Sequence, residues 1–431
     1  MRSDSQVDKV FFNQLIINTL EVNFVNIEVY NEKTLYKGSG QLLLNENGSF
    51  LVELETDLER LEPSSKSFKL KAFDQDGNFY ESNSLYLKKL AKILIFDVKS
   101  LIEVSSTNVT QTRAIFFGDY KLPMNCTYSH TGTNNYFWEF QLNENIALKL
   151  FKFENYIDLV IQRNPEDFQM DYEYIKNLIS SLDFILGIET EPIYIGIEGR
   201  GFRMLKKRSM LLAKSTVFPP VRIDNFVDKD FTTNHSNLFR KYFEFLSTHS
   251  GTKSLSLSII HKRIVGSSRS YVYVYGLTLC VLIEAISKDY YPEFYKPDEK
   301  FIEALIEAIM VLEDYGDPDT KGVVVEKLKY SIPKNQRNNL NVRNILKNLK
   351  GAGIITDPSL ISSWESLRNF TAHGSEVEGN DYEKFMDNLM SCSRLYYQLV
   401  FGLINYSGEY QFISGKNEFI DDHYKSAVEI D

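Results

Sequence analysis

The strongest constraint on this chain is a change of hydrophobic period partway along it. From Phe11 to about Val160 apolar and polar residues mostly alternate, with turn signals at short intervals. Period two is the pattern of strands that keep one face wet. Beyond Phe218-Pro219-Pro220 the apolar residues recur every three to four positions, the spacing of one helix face. Strands first and helices afterwards predict an α+β protein. Its N-terminal domain is expected to be β-rich, an antiparallel sandwich or barrel, and its C-terminal domain an all-α bundle.

Particular stretches carry this reading. Gly40 to Leu44 and Ser49 to Leu54 flank Asn45-Glu46-Asn47-Gly48, and an Asn-Gly between apolar runs is a strong hairpin signal. Phe68 to Phe73 alternates before Asp76-Gly77 turns the chain back into Phe79-Tyr80. Further runs follow at Ile93 to Val98, Ala114 to Phe117, Tyr136 to Leu142, Ala147 to Phe153 and Tyr156 to Ile161. Asp74, Asp76 and Asn78 do not make a calcium loop, because the glycine falls at the fourth position and no glutamate closes it.

At Asn164-Pro165-Glu166-Asp167 the period changes, with a good N-cap, a proline suited to the first helical position and acids in the first turn. A helix is expected near 165–186, ended by Gly187, and a strand over Pro192 to Ile197. Then Arg200, Arg203, Lys206, Lys207 and Arg208 put five cations into nine residues with no acid among them. Two readings stay open there: a contact to RNA phosphates, or a solvated loop or strand face. Paired prolines resist both helix and central strand. The split therefore falls between Pro220 and Phe231, giving a sensing or regulatory domain over 1–225 and a helical domain over 226–431.

In the second domain, helices are expected at Leu238 to Leu246, Tyr271 to Ile286 and Phe301 to Leu312. Lys321 to Lys350 is rich in Lys, Arg and Asn, with apolar spacing that fits a basic helical face. The acids of Asp314-Tyr315-Gly316-Asp317-Pro318-Asp319 are explained by turn chemistry. A final helix is capped by Asn380 and lined by Phe385, Leu389, Cys392, Tyr396 and Leu403.

Charge and cysteine content narrow the function. The formal net charge of −10 excludes a surface that is basic all over, so a nucleic-acid partner would need local clusters of cations. Cys126, Cys280 and Cys392 suggest neither a disulfide framework nor a zinc site, and fit a reducing cytoplasm. The first residues lack a signal-peptide core, and Tyr271 to Ile283 is too short an uncharged run for the ~20 residues of a spanning helix. A cytoplasmic protein without metal or cofactor is expected.

One stretch carries chemistry: Trp364-Glu365-Ser366-Leu367-Arg368-Asn369-Phe370-Thr371-Ala372-His373-Gly374. Arg368 is a permanent cation with a fork of donors suited to phosphate oxygens, and His373 can exchange a proton near neutral pH. Ser362 or Ser363 is expected to cap a helix from Trp364 to His373, with Gly374 in the left-handed position beyond it. In the last turn the macrodipole favours the charged form of His373.

Arg368-Asn369-x-x-x-His373 followed by Gly374, near the end of a helical C-terminal segment, resembles the signature of the HEPN superfamily. That resemblance implies a helical HEPN domain, metal-independent endoribonuclease activity and a homodimer that joins two motifs in one cleft. Arg368 would hold the scissile phosphate, His373 would transfer protons, and Asn369 would orient substrate or histidine. Glu284, a lone acid in Leu282-Ile283-Glu284-Ala285-Ile286, resembles the acidic position many HEPN proteins carry near the motif. It reads equally as a residue on a wet stripe. A β-rich domain before one HEPN domain is also similar to ApeA-type anti-phage proteins, which implies abortive-infection defence and a phage-derived trigger. Two rival expectations accompany this one: a non-catalytic HEPN-like module that binds RNA or protein, and a protein whose N-terminal domain is the working receptor.

Overall fold

The computed structural model describes residues 14–15, 19–32, 34–44, 49–56, 67–89, 93–104, 112–118, 120–130, 133–163, 170–197, 202–206, 217–223, 231–249, 256–295, 299–315, 322, 324–326, 328, 341–373, 380–413 and 419–426. Of residues 89, 128–130, 133–135, 202, 206, 231, 299–302, 314–315, 373 and 380–381 it describes the backbone alone. The fold is α+β, with a strand-rich N-terminal region followed by a helical C-terminal region. The chain divides into two compact units: 1–179 with 189–215 and 223–236, and 180–188 with 216–222 and 237–431. The division is thus not a single cut: 180–188 and 216–222 belong to the helical unit.

The first unit is built on one 14-stranded sheet in which every pairing is antiparallel. Its first strands are β1 (Glu21–Tyr30), β2 (Leu35–Leu44), β3 (Phe50–Glu55), β4 (Phe68–Asp74), β5 (Phe79–Lys89) and β6 (Ile93–Val98). They pair in the order β4-β1-β2-β3-β6-β5, and β5 returns to β4, so this part closes into a small barrel without open edges. The asparagine-glycine loop does join paired strands, with Leu44 opposite Phe50. Gly38 and Gly40 of β2 lie so close to β3 that a Cβ would run into the Glu55 or Glu53 carbonyl oxygen. Alternate residues fill the interior, as the strictly alternating burial of β4 shows. Tyr36, Phe68 and Phe96 meet there with ring centroids 5.5–6.4 Å apart.

From β5 the sheet continues through β7 (Ser100–Val104), β14 (Phe202–Lys206), β13 (Pro192–Ile197), β8 (Thr112–Phe117), β12 (Tyr156–Arg163), β11 (Ile146–Lys152), β10 (Thr133–Asn143) and β9 (Cys126–His130). Asp74 is spent on its own turn: its carboxylate accepts from the backbone N–H of Asp76 and Asn78 at 2.9 and 2.8 Å, and from the Tyr80 hydroxyl at 3.0 Å. Gly77 supplies the positive φ that this turn requires. Where the barrel passes into the rest of the sheet, Glu103 of β7 stands opposite Tyr80 of β5 on one side and Arg203 of β14 on the other. Burial first, then the Glu103 and Asp74 carboxylates, hold the Tyr80 hydroxyl far above the usual tyrosine range.

The longer helices among the described residues are α1 (Tyr172–Leu186), α2 (Phe231–Thr248), α3 (Leu257–Ser267), α4 (Val272–Tyr290), α5 (Glu299–Tyr315), α6 (Val342–Gly351), α7 (Ser359–His373) and α8 (Asn380–Leu403). The expected cap of the first helix at Asn164-Pro165 lies outside the described residues, as do Gly316 to Asp319. In the helical unit α4, α7 and α8 pack on one another, and α6 packs on α4 and α7. His261 of α3 is buried, with Nε2 3.1 Å from the Asp183 carbonyl and Nδ1 3.3 Å from the Tyr396 hydroxyl. Burial pulls its imidazole down to about 4, so it is neutral at pH 7.

The second domain is not helical to its end. A hairpin of β15 (Gly408–Ile413) and β16 (Phe419–Tyr424) follows α8. Arg394 of α8 ties it down, with Nη2 3.1 Å from Asp422, Nη1 3.3 Å from Asp357 and its guanidinium 3.9 Å from the Phe412 ring centre. No helix among the described residues is long and apolar enough to cross a membrane.

Candidate functional site

The motif helix α7 begins earlier than the sequence suggests. Asp357 accepts from the Ser359 backbone N–H at 2.9 Å and from its hydroxyl at 2.6 Å, so Asp357-Pro358-Ser359 starts the helix. Ser362 and Ser363 lie inside it and are not caps. The signal was present, since an aspartate before a proline is a helix start. The nearby arginine and the serines in the right place for a cap obscured it.

One face of α7 is apolar and buried: Leu360, Ile361, Trp364 and Leu367. Their spacing of three to four residues turns that face to α4 and α8. The Trp364 indole N–H donates to the Cys280 carbonyl of α4 at 3.5 Å. A Cβ on Gly276 of α4 would come within 3.2 Å of Phe385, 3.4 Å of Leu367 and 3.5 Å of Thr371, so a glycine here allows α4 to approach both neighbours. Phe370, Tyr273 and Phe385 complete the seat, with ring centroids 5.1–6.3 Å apart. With that face fixed, Ser362, Ser366, Arg368, Asn369 and Ala372 are exposed.

Arg368 donates through Nε to Glu284 of α4. The arginine side chain is 48% exposed and the glutamate 19%. Lys288, one turn along α4, approaches the other Glu284 oxygen at 3.8 Å. Glu284 thus lies between Arg368 and Lys288. Five N–H donors belong to a guanidinium, so one bond to Glu284 leaves donors for a phosphate. Asn369 is exposed beside Arg368. His373 is the last residue of α7, and its side chain is outside the description. On an ideal helix, positions five apart point about 140° away from each other. Arg368 and His373 therefore occupy backbone positions on different sides of one helix.

A second arginine reaches the same helix. Arg343 of α6 donates through Nε to Glu365 of α7, a pairing that neither local sequence announces because 22 residues of chain separate them.

The basic segment over 200–208 is corrected at one position. Arg203 is buried and paired with Glu103 at 2.5 Å, so it is a structural link between β7 and β14 and not a contact for RNA. The physical reason is its register opposite Glu103 on the inward side of the sheet. Lys206 closes β14, with only its backbone described, while Arg200, Lys207 and Arg208 lie outside the described residues. Among the described residues no group of three or more His, Cys, Asp or Glu side chains is placed to hold a metal ion.

Comparison of the chain with family models, with curated proteins and with solved structures found no significant match to any of them.

Proposed function

We propose that this chain is a metal-independent endoribonuclease of the HEPN type. The observation that carries the reading is the placement of Arg368-Asn369-x-x-x-His373 at the C-terminal end of a helix whose apolar face is buried, with Arg368 at the edge of that face beside Glu284 of α4 and still 48% exposed. That exposure leaves guanidinium donors open to a phosphate.

In the proposed reaction the 2′-hydroxyl of RNA loses a proton and its oxygen attacks the adjacent phosphorus. The 5′-oxygen leaves with a proton, giving a 2′,3′-cyclic phosphate and a 5′-hydroxyl. Arg368 neutralises the charge that develops on the phosphorus oxygens, and His373 serves proton transfer. Asn369 offers an amide to orient substrate, and Glu284 holds Arg368 in position until a phosphate takes its place. Because positions five apart on a helix do not converge on one phosphate, the complete site draws on a second copy, and a homodimer is part of the mechanism. The β-rich domain senses a trigger or restrains the nuclease, with anti-phage defence as the setting; the resemblance of the strand-then-helix layout to ApeA-type proteins supports this last step.

A second reading has its own support. Glu284 neutralises Arg368, as it would in a non-catalytic module that only docks RNA or protein. One experiment separates the two. Purified protein is incubated with total RNA in excess EDTA beside His373→Ala, and product ends are mapped. Cyclic-phosphate ends that vanish in the variant support the nuclease. Equal cutting by both proteins, or none by either, sinks it.

A further inference from the structure

Helix α6 has two unlike flanks. Val342, Ile345, Leu346 and Leu349 are buried, which fixes its orientation. On one flank Asn348 donates to the Phe294 carbonyl at 2.8 Å and to Asn344 at 3.1 Å, so that side is consumed by the protein. On the other flank stand Arg343, Lys347 and Lys350, all exposed, at helical spacings of four and three, with no acid in the helix. That flank is the one turned to α7, because Arg343 bonds Glu365 there. Such a strip is unexpected in a chain of net charge −10. Helix α5, by contrast, carries Glu299, Glu303, Glu307 and Glu313.

The exposed side of α7 continues the strip with small polar groups. Ser366 and Asn369 are exposed beside Glu365 and Arg368, and Glu365, the acid on this side, is already matched by Arg343. Cations followed by short hydroxyl and amide groups suit a polyanion whose sugars also offer hydroxyls.

We infer that Arg343, Lys347 and Lys350 of α6, continued by Ser366 and Asn369 of α7, bind the phosphate backbone of single-stranded RNA and lead it to Arg368. Seven residues of helix span about 10 Å. That is a track for a few nucleotides, whereas RNA duplexes are read over about 16 base pairs. The inference rests on the ribonuclease reading, to which it adds the binding surface.

The test uses the full chain and a fluorescein-labelled single-stranded RNA 12-mer in EDTA, with anisotropy read across a salt series and cleavage followed in parallel. Lys347→Gln/Lys350→Gln is compared with Arg263→Gln/Arg269→Gln, which removes two exposed cations from α3 and the turn after it. All four side chains are exposed, so melting curves should superimpose. The inference expects about tenfold weaker binding for the α6 variant and a log–log salt slope smaller by about 1.4, from roughly 0.7 per lost phosphate contact. The control should match wild type. Unchanged affinity and slope in the α6 variant, with wild-type cleavage intact, would overturn the track and leave the nuclease standing. Equal losses in both variants would also overturn it, by showing attraction to positive charge anywhere. Failure of wild type to bind or cut the RNA would sink both.

Discussion

Two arginine–glutamate pairs, one in each unit, use the same chemistry in different solvents. Arg203 and Glu103 pair across β14 and β7 with side chains 5% and 1% exposed. Arg368 and Glu284 pair across α7 and α4 with side chains 48% and 19% exposed. A buried ion pair cannot be undone without leaving a charge out of water, so the first locks the junction between barrel and sheet. An exposed pair is worth little to stability and exchanges its partner readily. The comparison teaches that exposure, and not the pairing itself, marks which arginine is available for a phosphate.

Four measurements would break or sharpen this contrast. The largest effect is expected for Arg203→Ala, which should destabilise the protein by about 3–5 kcal/mol in urea unfolding by stranding Glu103. A loss below about 1 kcal/mol would show that the buried pair is no lock.

The next concerns acid. His261 is buried and neutral, with its imidazole held at about 4 by burial. Its folded value lies below the ordinary histidine value of 6.5, so the unfolded chain takes up the proton first. Stability from this group is complete above pH 6.5 and falls as the pH drops toward 4. The expected loss is about 3 kcal/mol, from roughly 1.4 kcal/mol per unit. Urea midpoints measured from pH 7 to pH 4.5 should fall in wild type and flatten over that window in His261→Asn. An identical pH slope in the two proteins would show that burial of His261 does not govern the acid response.

Arg368→Ala should cost less than about 1 kcal/mol of stability, since the pair is half solvated. Cleavage should nevertheless fall by about two orders of magnitude or more. A loss of stability as large as that of Arg203→Ala would make Arg368 a structural residue too. The smallest effect is expected for Glu284→Gln, which should tighten RNA binding by about threefold, roughly 0.6 kcal/mol, by releasing the guanidinium. Weaker binding instead would show that Glu284 is needed to aim Arg368.

Much of the fold was legible because it is periodic. The alternation over Phe68 to Phe73 became β4, and the turn at Asp76-Gly77 sends it back antiparallel against β5. The spacing of Phe385, Leu389, Cys392 and Tyr396 became the buried face of α8. Less regular pieces were missed. Phe202 to Lys206 pairs with β7 from about 100 residues away, and no local pattern encodes such a partner. The C-terminal hairpin was hidden because β16 is exposed along almost its whole length, so it has no apolar alternation to read. Its place is set by Arg394, Asp357 and Asp422, from three separate stretches.

By itself the sequence determined that a strand-rich region precedes a helical one, and it set the motif Arg368-Asn369-x-x-x-His373, because period and residue type are local properties of a chain. Tertiary structure decided the rest. It closed the first strands into a barrel, assigned Arg203 to Glu103 and Arg368 to Glu284, and turned the cationic flank of α6 to the motif helix. The reason is that solvent exposure and the partner of a charge depend on what packs beside it, and packing partners are chosen across the chain and not along it.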